Sequence, residues 1–236
     1  MRKILFALIP IFSMVNVFGQ KTEYSVALNS GLFSFSGKSV QSTTFMIRSD
    51  NLKITYTNNP YGSQKGLCYG LSGNVKRVSK KGFIVGFDLG FEQLRSKISI
   101  DAISGNTGTS TYQYAATGKT FTEFNFINLR PFIGYRLAAK SLNFDISVGF
   151  DVGFCLKAKE DGSASATNGT NYKTSTARKM ITTDIRPGLQ LAVGYKKFGI
   201  YTGYYWGLKN YKAGYIGGTN DAYSRLLRFG VSYLLK

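Results

Sequence analysis

Residues 142–157, LNFDISVGFDVGFCLK, put Leu142, Phe144, Ile146, Val148, Phe150, Val152, Phe154 and Leu156 apolar, with Asn, Asp, Ser, Gly, Cys and Lys between them. A period of two is the period of a strand, because successive Cβ atoms point to opposite faces. The same alternation runs through Phe83–Glu92, Leu67–Lys76, Ile127–Leu137, Asp184–Tyr195, Gly199–Leu208 and Leu227–Lys236, and less regularly through Tyr24, Val26 and Leu28. This pattern predicts eight strands and no helix in their midst.

The connections alternate in length. Three are tight, around residues 77–82, 138–141 and 196–197, whereas 37–65, 97–122 and 158–179 are long and rich in Ser, Thr, Asn and Gly, with a shorter fourth at 209–221. Short turns at one end and long loops at the other are the plan of an outer-membrane barrel, and closure follows because an open edge in hydrocarbon leaves backbone groups unpaired. A soluble ligand-binding barrel alternates as well. Three features favour lipid outside. The apolar face is almost free of charge over about ten residues per strand, the length a tilted strand needs to cross a bilayer. Its ends carry Tyr69, Tyr135, Tyr195, Tyr204, Trp206 and Tyr233, as an aromatic girdle does. The opposite face bears charges of both signs and glycines, which suits the crowded interior of eight strands. The expected fold is all-β: an eight-stranded antiparallel up-and-down transmembrane β-barrel.

The N-terminus, MRKILFALIPIFSMVNVFGQ, opens with Arg2 and Lys3, continues apolar to about Val17 and offers Val17 and Gly19 before a cut. That is the layout of a secretory signal peptide, so residues 1–19 read as a signal and 20–236 as one barrel domain, exported to the outer membrane of a Gram-negative bacterium. Removing the signal leaves 28 Lys and Arg against 12 Asp and Glu, a formal +16. Such a charge favours anionic partners. In an exported protein these are phospholipid and lipopolysaccharide phosphates before nucleic acid.

The segments LRPFIGYRL (129–137) and IRPGLQLAVGYKK (185–197) share an Arg-Pro rise and a Gly-Tyr descent into a basic turn. They resemble the outer-membrane β-barrel domain family common in Bacteroidetes, which includes PorT-like proteins and is related in plan to the OmpX and OmpA-type eight-stranded barrels. The resemblance covers the mature chain and specifies fold far better than function. It implies, as one alternative, an accessory role in protein secretion. The chain departs from such barrels in ending Tyr233-Leu234-Leu235-Lys236 rather than on an aromatic residue.

By parity the inward positions collect Asp88, Glu92, Asp145, Asp151 and Asp184 with Arg130, Arg136, Arg186 and Arg228. Buried charges persist when paired, and Arg matches carboxylates through two parallel bonds, so these nine residues are expected to form a salt-bridged plug. Read functionally, the same groups would line an ion path. No catalytic set is expected: the chain has no His, and no Ser–Lys or Ser–carboxylate spacing suggests a nucleophile. No metal site or cofactor is expected either. Cys68 and Cys155 face inward on opposite sides of the barrel, beyond the reach of a disulfide, and read as free thiols. At the short-turn end Lys76, Arg77, Lys80, Lys81, Lys140, Lys196 and Lys197, joined by Arg136, have no acid among them and are expected to meet periplasmic headgroups. The loop cations Lys53, Lys65, Lys159, Lys173, Arg178, Lys179, Lys209 and Lys212 are expected among lipopolysaccharide phosphates. Together these features point to a monomeric, non-enzymatic barrel displaying mobile loops for surface interaction or envelope integrity. A narrow solute pore is the competing reading.

Overall fold

The computed structural model describes residues 21–179, 181–214 and 220–236; the segment read as a signal peptide lies outside them. Eleven strands form one sheet: β1 (Lys21–Ser36), β2 (Thr43–Ser49), β3 (Ile54–Thr57), β4 (Gln64–Val78), β5 (Phe83–Asn106), β6 (Thr111–Ala139), β7 (Leu142–Ala166), β8 (Asn171–Ala177), β9 (Thr183–Tyr195), β10 (Phe198–Trp206) and β11 (Tyr223–Leu234). Eight of them close a ring in the order β1-β4-β5-β6-β7-β9-β10-β11, every neighbour antiparallel. The last strand returns to the first, from Ser25 opposite Leu234 to Ser36 opposite Tyr223. That closing pair removes the free edges that hydrocarbon does not tolerate.

The sequence pattern finds these eight strands but underestimates their reach. β5, β6 and β7 are 24, 29 and 25 residues long, against the roughly 9–11 that a tilted strand needs to cross a bilayer. Segments 97–122 and 158–179, expected as mobile loops, are therefore corrected to strand: they carry β5, β6 and β7 far past the apolar band and add β8 beside β7. Two bulges hide the continuation from a count of alternation. One lies at Asp101, where the β5 register shifts between Ile100 and Ala102. The other lies at Leu156–Lys157, where Phe126 faces Cys155 but Asn125 faces Lys157. Beyond each bulge the inward parity changes, so that in β7 the buried residues pass from Asp151 and Gly153 to Ala158, Glu160 and Ala164.

The connection at 37–65 also folds. Its strands β2 and β3 form a hairpin, and β2 runs parallel to β5. Met46, Ile100, Ile103, Ala164 and Ala166 fill the inner side of this raised sheet. The hairpin tip is tied down: Tyr112 Oη donates to Asp50 Oδ2 at 2.8 Å, Arg48 Nε donates to Asp50 Oδ1 at 3.0 Å, and Asp50 N donates to Asn106 O at 3.1 Å. Gly105 makes room for that tyrosine, since a Cβ there would stand 1.9 Å from Tyr112 Cζ.

The band below is built as the alternation predicts. Leu28, Leu67, Leu89, Ile133, Phe150, Leu156, Leu191, Ile200 and Val231 all point outward and are exposed. Tyr135, Tyr195 and Tyr233 rim the short-turn end, and Tyr69, Tyr204 and Trp206 rim the other. Pro131 on β6 coincides with a break in the β6–β7 ladder between Leu129 and Phe132, as a residue without an N–H requires.

Candidate functional site

The inward face is a stack of layers along the barrel. At the short-turn end Arg136 reaches Glu23 with Nη1 and Nη2 at 2.8 and 2.9 Å, and Asp145 with Nε at 2.6 Å and Nη2 at 2.8 Å. Lys76 Nζ joins them, 2.7 Å from Asp145 Oδ2 and 3.5 Å from Glu23 Oε2. Two expectations are corrected here. Lys76 sits on the inward face of β4 and spends its charge on these carboxylates rather than on headgroups. The short-turn end is not free of acid, because Glu23 is buried within it. Arg77, Lys80, Lys81, Lys140, Lys196 and Lys197 do gather at this end; all but the half-buried Arg77 are exposed. Lys196 and Lys197 lie over the Tyr195 and Tyr233 rings at 5.2 and 5.9 Å.

The next layer holds Arg130, whose Nε lies 2.5 Å from Asp88 Oδ2. Asn74 bonds the same carboxylate, and Tyr201 reaches over Gly230 of β11 to bond Asn29. A cavity of about 90 Å³ opens here, lined by Asn29, Asp88, Arg130, Gln190 and Tyr201 among others, and could hold a few waters. Above it lies the most buried set. Glu92 accepts from Arg228 Nε at 2.9 Å and Nη2 at 2.8 Å, and from Asn128 Nδ2 at 2.8 Å. Asp151 accepts from Arg228 Nη2 at 2.6 Å and lies 3.3 Å from Arg186 Nη2. Asp184 is fully buried and takes its bonds chiefly from hydroxyls, Tyr211 Oη at 2.8 Å and Ser224 Oγ at 2.7 Å, with Arg186 Nε at 3.8 Å. All nine residues singled out from the sequence thus lie inside the barrel, in three connected groups.

A seal that the sequence reading missed caps the stack. Phe33, Phe35, Tyr61, Phe124, Phe126, Tyr205 and Tyr211 form one buried aromatic cluster across the lumen. Phe35 sits at its centre, 4.8 Å from Tyr211, 5.2 Å from Tyr61 and 5.8 Å from Phe124 between ring centroids. Tyr61 comes from the first long connection and Tyr211 from the last, and Tyr61 Oη donates to Tyr211 O at 3.2 Å. Cys68 is buried in the same cluster and Cys155 packs against it; both are free thiols.

Beyond the seal, Glu160 is completely buried and binds β3 to β7–β8. It accepts from Thr57 N at 2.8 Å, Thr174 Oγ1 at 2.6 Å and Arg178 Nε at 2.7 Å, and Arg178 also bonds Thr57 O. Arg178, expected among lipid phosphates, is therefore committed to an internal pair. The hydrogen bonds that Asp50 accepts from Tyr112 and Arg48 hold its carboxyl below the usual range.

Comparison with known families matches residues 21–213 to the outer membrane protein beta-barrel domain. The chain belongs to that family. It is an outer-membrane protein. Among solved structures, Ail, the attachment invasion locus protein of Yersinia pestis in complex with the heparin analogue sucrose octasulfate, aligns at 11% identity and a TM-score of 0.38 over 91% of this chain and 99% of its own. Neisserial surface protein A aligns at 11% identity and a TM-score of 0.35 over 90% of this chain and 98% of its own. The translocator domain of the autotransporter NalP from Neisseria meningitidis aligns at 9% identity and a TM-score of 0.30 over 98% and 94%. No curated protein matches the sequence.

Proposed function

We propose that this barrel is a non-enzymatic, monomeric scaffold with a sealed lumen, and that its work is done by the β-structured head it raises above the membrane, through surface interaction or support of the envelope. The observation that supports this reading most is the aromatic seal. A continuous solute path would have to pass Phe33, Phe35, Phe124 and Tyr205, each with 2% or less of its surface accessible, and then three layers of paired charge. Ion passage through such a site means desolvation without compensating partners, which is costly. The pore reading is weaker for that reason. The exposed cations of the short turns, Lys80, Lys81, Lys140, Lys196 and Lys197, with the half-buried Arg77 beside them, would meet anionic headgroups on the periplasmic side. The chemistry proposed needs no metal, cofactor or nucleic acid.

The narrower kinship with PorT-like barrels of Bacteroidetes, and the accessory role in secretion it implies, rests on the segments 129–137 and 185–197 alone. Co-purification with secretion components is the observation that would favour it.

The scaffold reading is tested by a chain in which the extensions of β5, β6, β7 and β8 beyond the apolar band are replaced by short turns. It is expected to insert as a heat-modifiable barrel yet fail to restore the detergent barrier of cells lacking the full chain. Full restoration would put the work in the barrel wall rather than in the head.

A further inference from the structure

Where the apolar band ends, the outward face of β5–β8 becomes basic in a regular way. The last apolar row is Phe91–Ile127–Phe154, and the next is Gln93–Asn125–Lys157, in which Gln93 Nε2 donates to Asn125 Oδ1 at 3.0 Å. Then follow Arg95–Glu123–Lys159, Lys97–Phe121–Asp161 and Ser99–Lys119–Ser163–Lys173. Both acids are already paired, Glu123 with Arg95 at 2.8 Å and Asp161 with Lys159 at 2.7 Å. Among the described residues, Lys97, Lys119, Lys157 and Lys173 form no ion pair with a carboxylate, and the last three of these are exposed. In their midst lies the Phe121 ring, with the Arg95 guanidinium 4.5 Å and the Lys119 ammonium 5.8 Å from its centroid. On the far side of the barrel the outward rows at the upper rim are Tyr204–Leu227 and Trp206–Arg225, with a single cation between them.

We propose that this face binds a lipid with a phosphorylated saccharide head, the lipopolysaccharide of the surrounding leaflet. Lys157 meets the phosphates nearest the acyl chains. Lys97, Lys119 and Lys173 follow the anionic inner saccharide upward, and Phe121 offers a sugar ring a flat apolar surface. Length decides between this and an ordinary phospholipid. Rows two residues apart are separated by about 7 Å along a strand, so the cations from Lys157 to Lys119 and Lys173 span about 20 Å. A single phosphate headgroup covers only the first row. The assignment rests on the reading that the raised head is the working part, and names its partner.

The test uses the full chain in nanodiscs of zwitterionic phospholipid, titrated with labelled lipopolysaccharide at low salt. With each lysine near a charged surface worth about fivefold in affinity, the triple variant Lys97→Gln/Lys119→Gln/Lys157→Gln is expected to bind roughly a hundredfold more weakly, and raised salt should erase most of the difference. Phe121→Ala is expected to weaken lipopolysaccharide binding while leaving retention of phosphatidylglycerol unchanged. Equal binding by parent and triple variant would overturn the assignment. So would a parent that takes up soluble polyphosphate but not lipopolysaccharide, since the anion would then come from the medium. Heat-modifiability and electrical silence of each variant, measured alongside, separate a failure of this assignment from a failure of the sealed-scaffold reading.

Discussion

Glu92 shows how the interior is held at the level of one residue. Its carboxylate is buried and receives a bidentate Arg228 and the Asn128 amide, which offsets the cost of removing both charges from solvent. Replacing it with Gln leaves Arg228 and Arg186 to share Asp151, an uncompensated positive charge in the buried layer. Glu92→Gln is expected to lower stability by about 3–5 kcal/mol, read as the urea midpoint of the folded, heat-modifiable form in detergent micelles. A loss below about 1 kcal/mol would mean that water screens the pair. Glycines make this packing possible at two inward positions. A Cβ on Gly153 would lie 3.0 Å from Arg186 Nη2, and one on Gly188 would lie 2.2 Å from Tyr205 Cδ1. Parity alone was enough to find the nine inward charges. It would also have found Lys76 and Glu23, since both follow the inward parity of their strands. Lys76 also lies next to a basic turn, which groups it with the headgroup-facing cations, and Glu23 lies in the strand with the least regular alternation.

At the scale of elements, the eight ring strands were legible because lipid on one side imposes a strict period of two. Above the membrane that constraint lapses, as water meets the outer face and Ser and Thr serve on either. There β5, β6 and β7 continue through polar sequence, with the bulges at Asp101 and Leu156–Lys157 shifting the count. The strands β2, β3 and β8, of 7, 4 and 7 residues, are too short to stand out. Their order comes from tertiary contacts: the Met46–Ile100–Ile103 cluster, the Glu160–Arg178–Thr57 bonds and the Asp50–Tyr112 tether. Backbone amides of 98–106 and 111–122 are therefore expected to exchange hydrogen slowly, on the scale of the barrel strands rather than of loops. Exchange complete within seconds in both segments would return them to the mobile state that their composition suggests.

For the whole molecule, the stack runs from a charged base through a small polar cavity to a charged middle, an aromatic seal and a raised sheet. The seal was the least legible part. An outer-membrane barrel is expected to be polar inside, so the inward Phe33, Phe35, Phe124 and Phe126 carried no signal until Tyr61 and Tyr211, from two distant connections, were seen to close over them. On the proposed reading this stack makes the barrel a rigid support and not a conduit. The most direct check is single-channel recording of the refolded mature chain in a planar bilayer, after heat-modifiable migration establishes that it is folded. Electrical silence is expected for the parent and for Arg130→Ala, which removes a pair below the seal without opening it. Steady unitary conductance in the parent, changed by Arg130→Ala, would contradict the account and make the polar interior a pathway.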